Sequence, residues 1–447
     1  MLVKDVLEAT GGKLLSGDIN DNIEEFTQDS RKVTKESMYI PLKGDRFDGH
    51  DFIDSAFKEG AKATITSKDI EYQDKIVIKV DDTHQALIDM ASYIRNNNDF
   101  KVVGVTGSVG KTSTRDLVYS VIKQQYTCYK TEGNYNNNIG LPLTLLRYKG
   151  EEVVVLEMGM NHLGELDVLS KIAKPDIAVI TNVGTAHIGE LGSRENILKA
   201  KLEITNGMDH GTLIINGDND LLSTVSLDNL EVLKVGTNSN CDFHAVNIVS
   251  DTSGSHFDVG NDYLKENFYI PIMGEHFIIN ALLGIGVGVK LGIDSSLIVK
   301  GIKEFSLTKN RMDIIKLSHD ITIIDGSYNA SEDSMKSSID VLAKYKGRKI
   351  AVLADMLELG DFSKELHSNV GKYVAKKDID ILVCIGEEAK YIAKSALKEM
   401  YDVYHFDTNK EALSFLLEEI EAKDTILVKG SNSMNLKEIV KSLTKRY

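Results

Sequence analysis

Apolar and polar positions along this 447-residue chain fall into a repeated rhythm. Short apolar runs at 102–105, 152–158, 175–182 and 211–216 have the length and composition of buried strands. Between them, 116–122 carries apolar residues at helical spacing, and 195–204 reads as a second helix. Strand and helix taking turns favour a parallel sheet with helices on both faces. Residues 231–270 change to short alternating runs of β character, and an apolar helix starts near 274 with one polar residue, Asn280, among aliphatics. The strand–helix rhythm resumes with strands at 321–325, 349–353, 379–385 and 425–428, which predicts a doubly wound, Rossmann-like domain. Before residue 99 the pattern is mixed: a strand over 37–42, a helix ending at Gly60, a helix over 83–95, then Asn96-Asn97-Asn98-Asp99 as a linker. The expected fold class is α/β in three domains. They are a small mixed α/β domain over 1–98, a central domain with a mainly parallel sheet over 99–312, and a C-terminal ligand-binding domain over 313–447.

The most informative stretch joins the first central strand to its helix. It reads Gly104-x-x-Gly107-x-x-Gly110-Lys111-Thr112-Ser113. Strand, glycine-rich loop and helix are the context of a phosphate-binding loop. The register is a variant, because the position five before Gly110 is Val105 and the nearby glycines are Gly104 and Gly107. Glycines let backbone N–H groups close around phosphate oxygens, and the helix N-terminus adds partial positive charge. Lys111 can reach terminal phosphates, and Thr112 can offer its hydroxyl to Mg²⁺.

Composition limits what such a loop can serve. The net charge of −15 argues against a general nucleic-acid or membrane-surface role, yet a local cationic pocket can still hold a phosphorylated substrate. Cys128, Cys241 and Cys384 lie far apart, with neither metal spacing nor a disulfide framework, so a reducing cytoplasm is expected. The N-terminus is amphipathic and acidic, unlike a signal peptide, and no apolar run reaches 18 residues, so no transmembrane segment is expected.

Several further positions admit two readings. Ser30, Arg31 and Lys43 line an anion pocket or simply build turns. Gly133-Asn134-Tyr135-Asn136-Asn137-Asn138-Ile139-Gly140 is a ligand loop or a plain turn. Glu157, ending a buried strand beside the phosphate loop, reaches Mg²⁺ or faces water. His187 is a ligand or a structural histidine; of Lys199 and Lys201, two apart on one helix, only one can face a site. Asn280 takes its hydrogen bonds from a purine or from a backbone carbonyl.

Taken in order, the motifs are Asp29-Ser30-Arg31, Asp48-Gly49-His50, Thr106-Gly107-Ser108-Val109-Gly110-Lys111-Thr112-Ser113, Gly133-Asn134 and Asn137-Asn138-Ile139-Gly140. They continue with Glu157-Met158-Gly159, Thr181-Asn182-Val183-Gly184-Thr185-Ala186-His187, Ala200-Lys201-Leu202-Glu203-Ile204, Arg311-Met312 and Tyr328-Asn329-Ala330. In this order, over nearly the whole chain, they resemble the Mur ligase family of peptidoglycan synthesis. Asn137-Asn138-Ile139-Gly140, Asp333-Ser334-Met335 and Asp355-Met356-Leu357-Glu358-Leu359-Gly360 resemble the members that add D-alanyl-D-alanine to UDP-N-acetylmuramoyl-tripeptide.

That resemblance implies an ATP-dependent ligase working through an acyl phosphate. It implies ATP held by Thr106, Gly107, Ser108, Val109, Gly110, Lys111, Thr112 and Ser113, with Asn280, Arg311 and Asp325 at its adenine, phosphate and ribose portions. One Mg²⁺ would sit on Thr112 and Glu157, and a second on His187 and Lys201, the lysine carbamylated because a free ammonium cannot ligate a cation. The catalytic set is Lys111, Glu157, His187 and Lys201. Ser30, Arg31, Lys43, Asn134, Asn137 and Asn138 would bind the UDP-sugar, making 1–98 the UDP-sugar domain, and Asn329 and Asp333 the dipeptide. A monomer is expected, with no nucleic acid as partner. The chain departs from the family at Ser331-Glu332, where Asn-Pro is frequent, at Phe277 after His276, and at Ala354 before Asp355-Met356. The alternatives are another amino-acid ligase of the family, a folylpolyglutamate synthase, or a non-catalytic nucleotide-binding protein. Tyr328-Asn329-Ala330-Ser331 stands where the diamino-acid-adding enzyme carries Asp-Asn-Pro-Arg, and Lys111, Thr112, Glu157, His187 and Lys201 together speak against a non-catalytic role.

Lys111→Ala is expected to abolish ligation with an unchanged far-ultraviolet circular dichroism spectrum. Normal turnover in that variant would refute the phosphate-loop assignment.

Overall fold

The computed structural model describes residues 1–44, 46–70, 72–260, 264–308 and 311–447. Its first sheet is built from β1 (Lys13–Ser16), β2 (Glu25–Thr27), β3 (Ser37–Tyr39), β4 (Ala63–Thr66) and β5 (Ile76–Lys79), in the order β1-β5-β4-β3-β2. Only β1 runs antiparallel. The strand expected over 37–42 stops pairing at Tyr39, and Pro41 just beyond has no N–H to give a ladder. Asp82 caps the helix Thr83–Asn97 by accepting from the N–H groups of His84 and Gln85. At the other end of that helix Arg95 ties the linker down. Its guanidinium donates to the carbonyls of Ala173, Phe100 and Lys174 at 2.8, 3.2 and 2.9 Å. Leu143 and Leu146, from the central domain, complete the first domain's apolar core.

The central sheet consists of β6 (Lys101–Thr106), β7 (Cys128–Lys130), β8 (Val153–Glu157), β9 (Ile177–Ile180), β10 (Thr212–Asn216), β11 (Glu231–Gly236), β12 (Phe243–Asp251), β13 (Gly254–Val259) and β14 (Asn267–Ile270). The order is β14-β13-β12-β11-β10-β9-β6-β8-β7. Strands β6 to β12 pair in parallel, and β12, β13 and β14 pair antiparallel. The change at 231–270 in the sequence is this turn from parallel pairing to an antiparallel meander. Strand β6 lies between β8 and β9, with helices on both faces, which is why it reads as a continuous apolar run. The chain leaves β6 toward the β7 edge and then returns through β8, past β6, to β9, and this reversal is the switch point where such sheets open a crevice.

The third sheet consists of β15 (Asp313–Lys316), β16 (Thr322–Gly326), β17 (Lys349–Ala354), β18 (Ile381–Ile385), β19 (Val403–Phe406) and β20 (Thr425–Lys429), in the order β15-β16-β20-β17-β18-β19. The four strands expected from the sequence are its fully buried interior. The two that were not read, β15 and β19, are the half-exposed edges and lack a continuous apolar run. Among the described residues no helix is long and apolar enough to cross a membrane.

The phosphate-loop helix Lys111–Ile122 is clamped from behind. Ser120 Oγ donates to the carbonyl of Gly301, and a Cβ at Gly301 would lie 2.6 Å from Val121 Cα. Backbone cannot yield as a side chain can, so Gly301→Ala is expected to cost about 1–3 kcal/mol by overpacking. Differential scanning calorimetry should show the loss as a lowered transition temperature.

Candidate active site

The end of β6 and the start of the helix Lys111–Ile122 make a loop whose shape depends on two glycines. Gly107 has φ +151°, and a Cβ there would overlap Thr181 Oγ1 at 1.8 Å. Gly110 has φ +82° and lies under the Asn280 amide, 3.3 Å from where its Cβ would be. The loop is buttressed by the loop that follows β9. The N–H groups of Ser108 and Val109 donate to Asn182 O and Asn182 Oδ1 at 3.1 and 2.8 Å, and Gly184 N donates to Ser108 Oγ at 3.0 Å. The first N–H groups of the helix have no intrahelical partners and form an anion-ready end.

Glu157 ends β8 directly beside this helix and is 2% exposed. Thr112 Oγ1 donates to its Oε2 at 2.8 Å, and the Arg115 guanidinium approaches the same oxygen at 3.2 Å. Asn136 Nδ2 donates to Oε1 at 2.9 Å. A hydroxyl and a carboxylate oxygen side by side are the hard-oxygen donors that Mg²⁺ prefers, so Thr112 and Glu157 fit a first ion. Lys111 folds its ammonium onto the carbonyl of Gly107 at 2.7 Å, and its pKa is lowered, chiefly by burial. Lys201 is 1% exposed, with no carboxylate at ion-pair distance among the described residues. Burial, then the Lys111 charge, pushes its pKa well below that of an ordinary lysine. A lysine held neutral is the form that can add carbon dioxide, so its chemistry fits a carbamate. Its neighbour on the helix, Lys199, is exposed, as the two-residue spacing required.

The third domain closes the other side of a cavity of about 1110 Å³. Arg311 stacks its guanidinium over the Tyr328 ring at 3.9 Å, and Lys429 donates to the carbonyl of Asn329 at 3.0 Å. Burial and the Arg311 charge lower the Lys429 pKa to about 8. His276 is pushed down to about 4, by burial first and then by Lys429. Asp325 is buried, and its Oδ1 accepts from Ser327 N at 3.0 Å.

Of the positions singled out in the sequence, Ser108 to Ser113, Asn137, Asn138, Glu157, His187, Asn280, Arg311, Asn329 and Asp333 line this one cavity. Thr106, Gly107, Lys201 and Asp325 lie behind its wall. Asn134 is exposed on the loop preceding Asn136. Ser30, Arg31 and Lys43 belong to the first domain and stand apart from the cavity. Arg31 pairs with Asp29 at 2.8 Å with its side chain 86% exposed, and that pairing holds Asp29 down to about 2. Asn137 Oδ1 accepts from Ile139 N and Gly140 N at 3.2 and 2.8 Å, where the chain enters the helix Gly140–Leu145. Asp333 presses on the backbone of Gly184, and burial raises its pKa.

A family model described as the Mur ligase middle domain matches residues 105–288. Others, described as the Mur ligase, glutamate ligase domain and the Mur ligase family, catalytic domain, match 310–432 and 22–95. The UDP-N-acetylmuramoyl-tripeptide–D-alanyl-D-alanine ligase of Bacillus subtilis (strain 168) is 39% identical, with 99% of this chain and 98% of that protein covered. The chain belongs to the Mur ligase family. The crystal structure of MurF from Acinetobacter baumannii matches with a TM-score of 0.91 at 30% identity, over 99% of this chain and 98% of that one. The MurF ligase of Thermotoga maritima in complex with ADP matches at 0.84 and 28% identity, over 94% and 97%.

The departures from the Mur ligase pattern have local explanations. Ser331 caps the helix Glu332–Ala343, exchanging bonds with Ser334 in a capping box, and Glu332 pairs with Lys336 at 2.7 Å. Phe277 is buried against the His276 ring at 4.2 Å between centroids. Ala354 is buried at the end of β17. Several site residues escaped the sequence reading. Arg115 had a usable signal, since it follows Thr112 by three on one helix and therefore shares its face. Asn136, Asn182 and Glu358 stand inside motifs of the sequence with no role of their own assigned, and Lys429 ends β20, where such sheets bind ligands; their partners lie on other elements.

Lys429 gives a direct electrostatic check. In protein carrying ¹³C-methylated lysines, a resonance absent from Lys429→Arg should titrate near pH 8 and not near the usual 10.4. An ordinary midpoint would mean that water reaches the amine.

Proposed function

We infer that the chain joins D-alanyl-D-alanine to UDP-N-acetylmuramoyl-tripeptide at the expense of ATP, in the synthesis of peptidoglycan precursor. It is an amide-bond-forming ligase. The observation that carries this reading is the convergence, in one cavity, of a phosphate loop, the Thr112–Glu157 oxygen pair and third-domain cations. Full-length likeness to enzymes with that name supports the choice of substrates.

In the proposed reaction the terminal carboxylate of the tripeptide attacks the γ-phosphorus of ATP. ADP leaves, and an acyl phosphate remains. The amine of D-alanyl-D-alanine then attacks the acyl carbon, phosphate leaves with the bonding pair, and the amine loses a proton. Two anions must meet in the first step, so the site's work is largely electrostatic. Lys111 binds the β- and γ-phosphates, and the helix N-terminus supplies fixed dipoles. Thr112 and Glu157 hold one Mg²⁺; His187 and a carbamylated Lys201 hold a second. Bound there, Mg²⁺ neutralises charge on the phosphate oxygens. Asn280, Arg311 and Asp325 bind the adenine, phosphate and ribose portions of the nucleotide.

Residues 1–98 act as the UDP-sugar domain, with Ser30, Arg31 and Lys43 on the uridine diphosphate and Asn134, Asn137 and Asn138 toward the sugar. Residues 99–312 act as the ATP domain, and 313–447 as the dipeptide domain, where Asn329 and Asp333 meet the incoming substrate. The reaction belongs in the cytoplasm, where ATP and the nucleotide-linked precursor are found.

The test is phosphate release with ATP, Mg²⁺, UDP-N-acetylmuramoyl-tripeptide and D-alanyl-D-alanine, omitting one component at a time. Release should require all four. Release with other amines but not with this dipeptide would overturn the choice of substrate and keep the family. No release under any combination would favour a nucleotide-binding protein without ligase activity.

A further inference from the structure

Two residues with left-handed backbones face each other where the central and third domains meet. His187 has φ 64° and ends the loop that follows β9; Glu358 has φ 65° and lies in the loop that follows β17. A residue with a Cβ holds this conformation only where its surroundings impose it, and such residues gather at functional sites. His187 Nδ1 stands 2.8 Å from Glu358 Oε2.

Both loops are held rigidly. Met356 N donates to Nε2 of the fully buried His367 at 2.9 Å, and Leu357 N donates to Ser431 Oγ at 2.9 Å. Asp355 accepts from Glu388 N and Ala389 N at 3.1 and 2.7 Å. On the facing side the two backbones touch. Gly189 N donates to Glu358 O at 3.3 Å, and a Cβ at Gly189 would lie 2.6 Å from Gly360 N. Asp333 grips the other end of the same central loop, where a Cβ at Gly184 would come within 1.9 Å of its carboxylate. The third domain thus holds the segment 184–189 at both ends, with His187 between.

We propose that Glu358 is a positioning residue, which holds the His187 ring in its cleft-facing place only when the third domain is docked. Docking of the dipeptide domain and completion of the phosphate-side machinery then become one event. A carboxylate behind a metal-binding histidine fixes ring orientation, and here that carboxylate comes from another domain. The proposal rests on the assignment of His187 to the reaction given above.

The experiment uses the full chain. Glu358→Gln keeps the size of the side chain and removes its charge. It is expected to lower kcat at least tenfold while KM for ATP moves less than about threefold. In ¹⁵N-histidine-labelled protein, the ring signals absent from His187→Ala should shift in Glu358→Gln. Because Glu358 acts through His187, the double variant should be no slower than His187→Ala alone. Gly189→Ala, which separates the same two loops from the opposite side, should reproduce the kcat loss and the ring shift if Glu358→Gln fails to fold. Unchanged ring signals, or losses that multiply in the double variant, would overturn the proposal. A crippled His187→Ala beside a fully active Glu358→Gln would remove this proposal alone. A fully active His187→Ala would remove the assignment of His187 itself.

Discussion

Glu157 is a carboxylate enclosed at the end of a central strand, and three groups hold it there: the Thr112 hydroxyl, the Arg115 guanidinium and the Asn136 amide. A buried carboxylate without such partners costs several kcal/mol. The partners come from the phosphate-loop helix and the asparagine loop, so satisfying this one charge sets the distance between both and β8. Arg115 also binds Asp116 at 2.6 Å, and Lys130 binds Asp116 at 2.7 Å, which extends the network under the loop. This end of the cleft is therefore pre-organised by its own charge balance.

The opposite sign is handled differently. Lys111, Lys201 and Lys429 are all desolvated, and each has its pKa lowered mainly by burial. An anion in the cavity would relieve this cost for the two lysines that reach it. The strongly acidic chain as a whole and the cationic lining of its cleft are compatible, because fields from exposed carboxylates are screened by solvent within about a Debye length. The local site, and not the net charge, governs the choice of ligand.

The site is shared between two domains, and close contacts at glycines help to join them. Gly189 against Gly360 and Gly184 against the Asp333 carboxylate leave no room for a Cβ. These glycines are required by neighbours more than a hundred residues away, not by turns of their own. Such contacts keep the Arg311–Tyr328 stack and Lys429 within reach of the phosphate loop.

The sequence by itself determined everything that depends on neighbours along the chain. The strand-loop-helix around Lys111 and the apolar interior strands follow from local spacing, whose physics acts within a few residues; spacing also lets only one of Lys199 and Lys201 face a site, and the motif order pointed to Lys201. The motif order also carried the family, while the strand–helix rhythm carried the expectation of three α/β domains. Tertiary structure alone decided which distant groups meet. Pairing of Glu157 with Asn136, of His187 with Glu358, and of Lys429 with the Asn329 carbonyl requires chain crossovers that no local pattern records. Edge strands β15 and β19 were hidden for a related reason: half-exposed strands owe their pairing to a sheet already present. Burial works the same way, since the lowered pKa of Lys201 arises from the protein packed around it and not from the residues beside it in the chain.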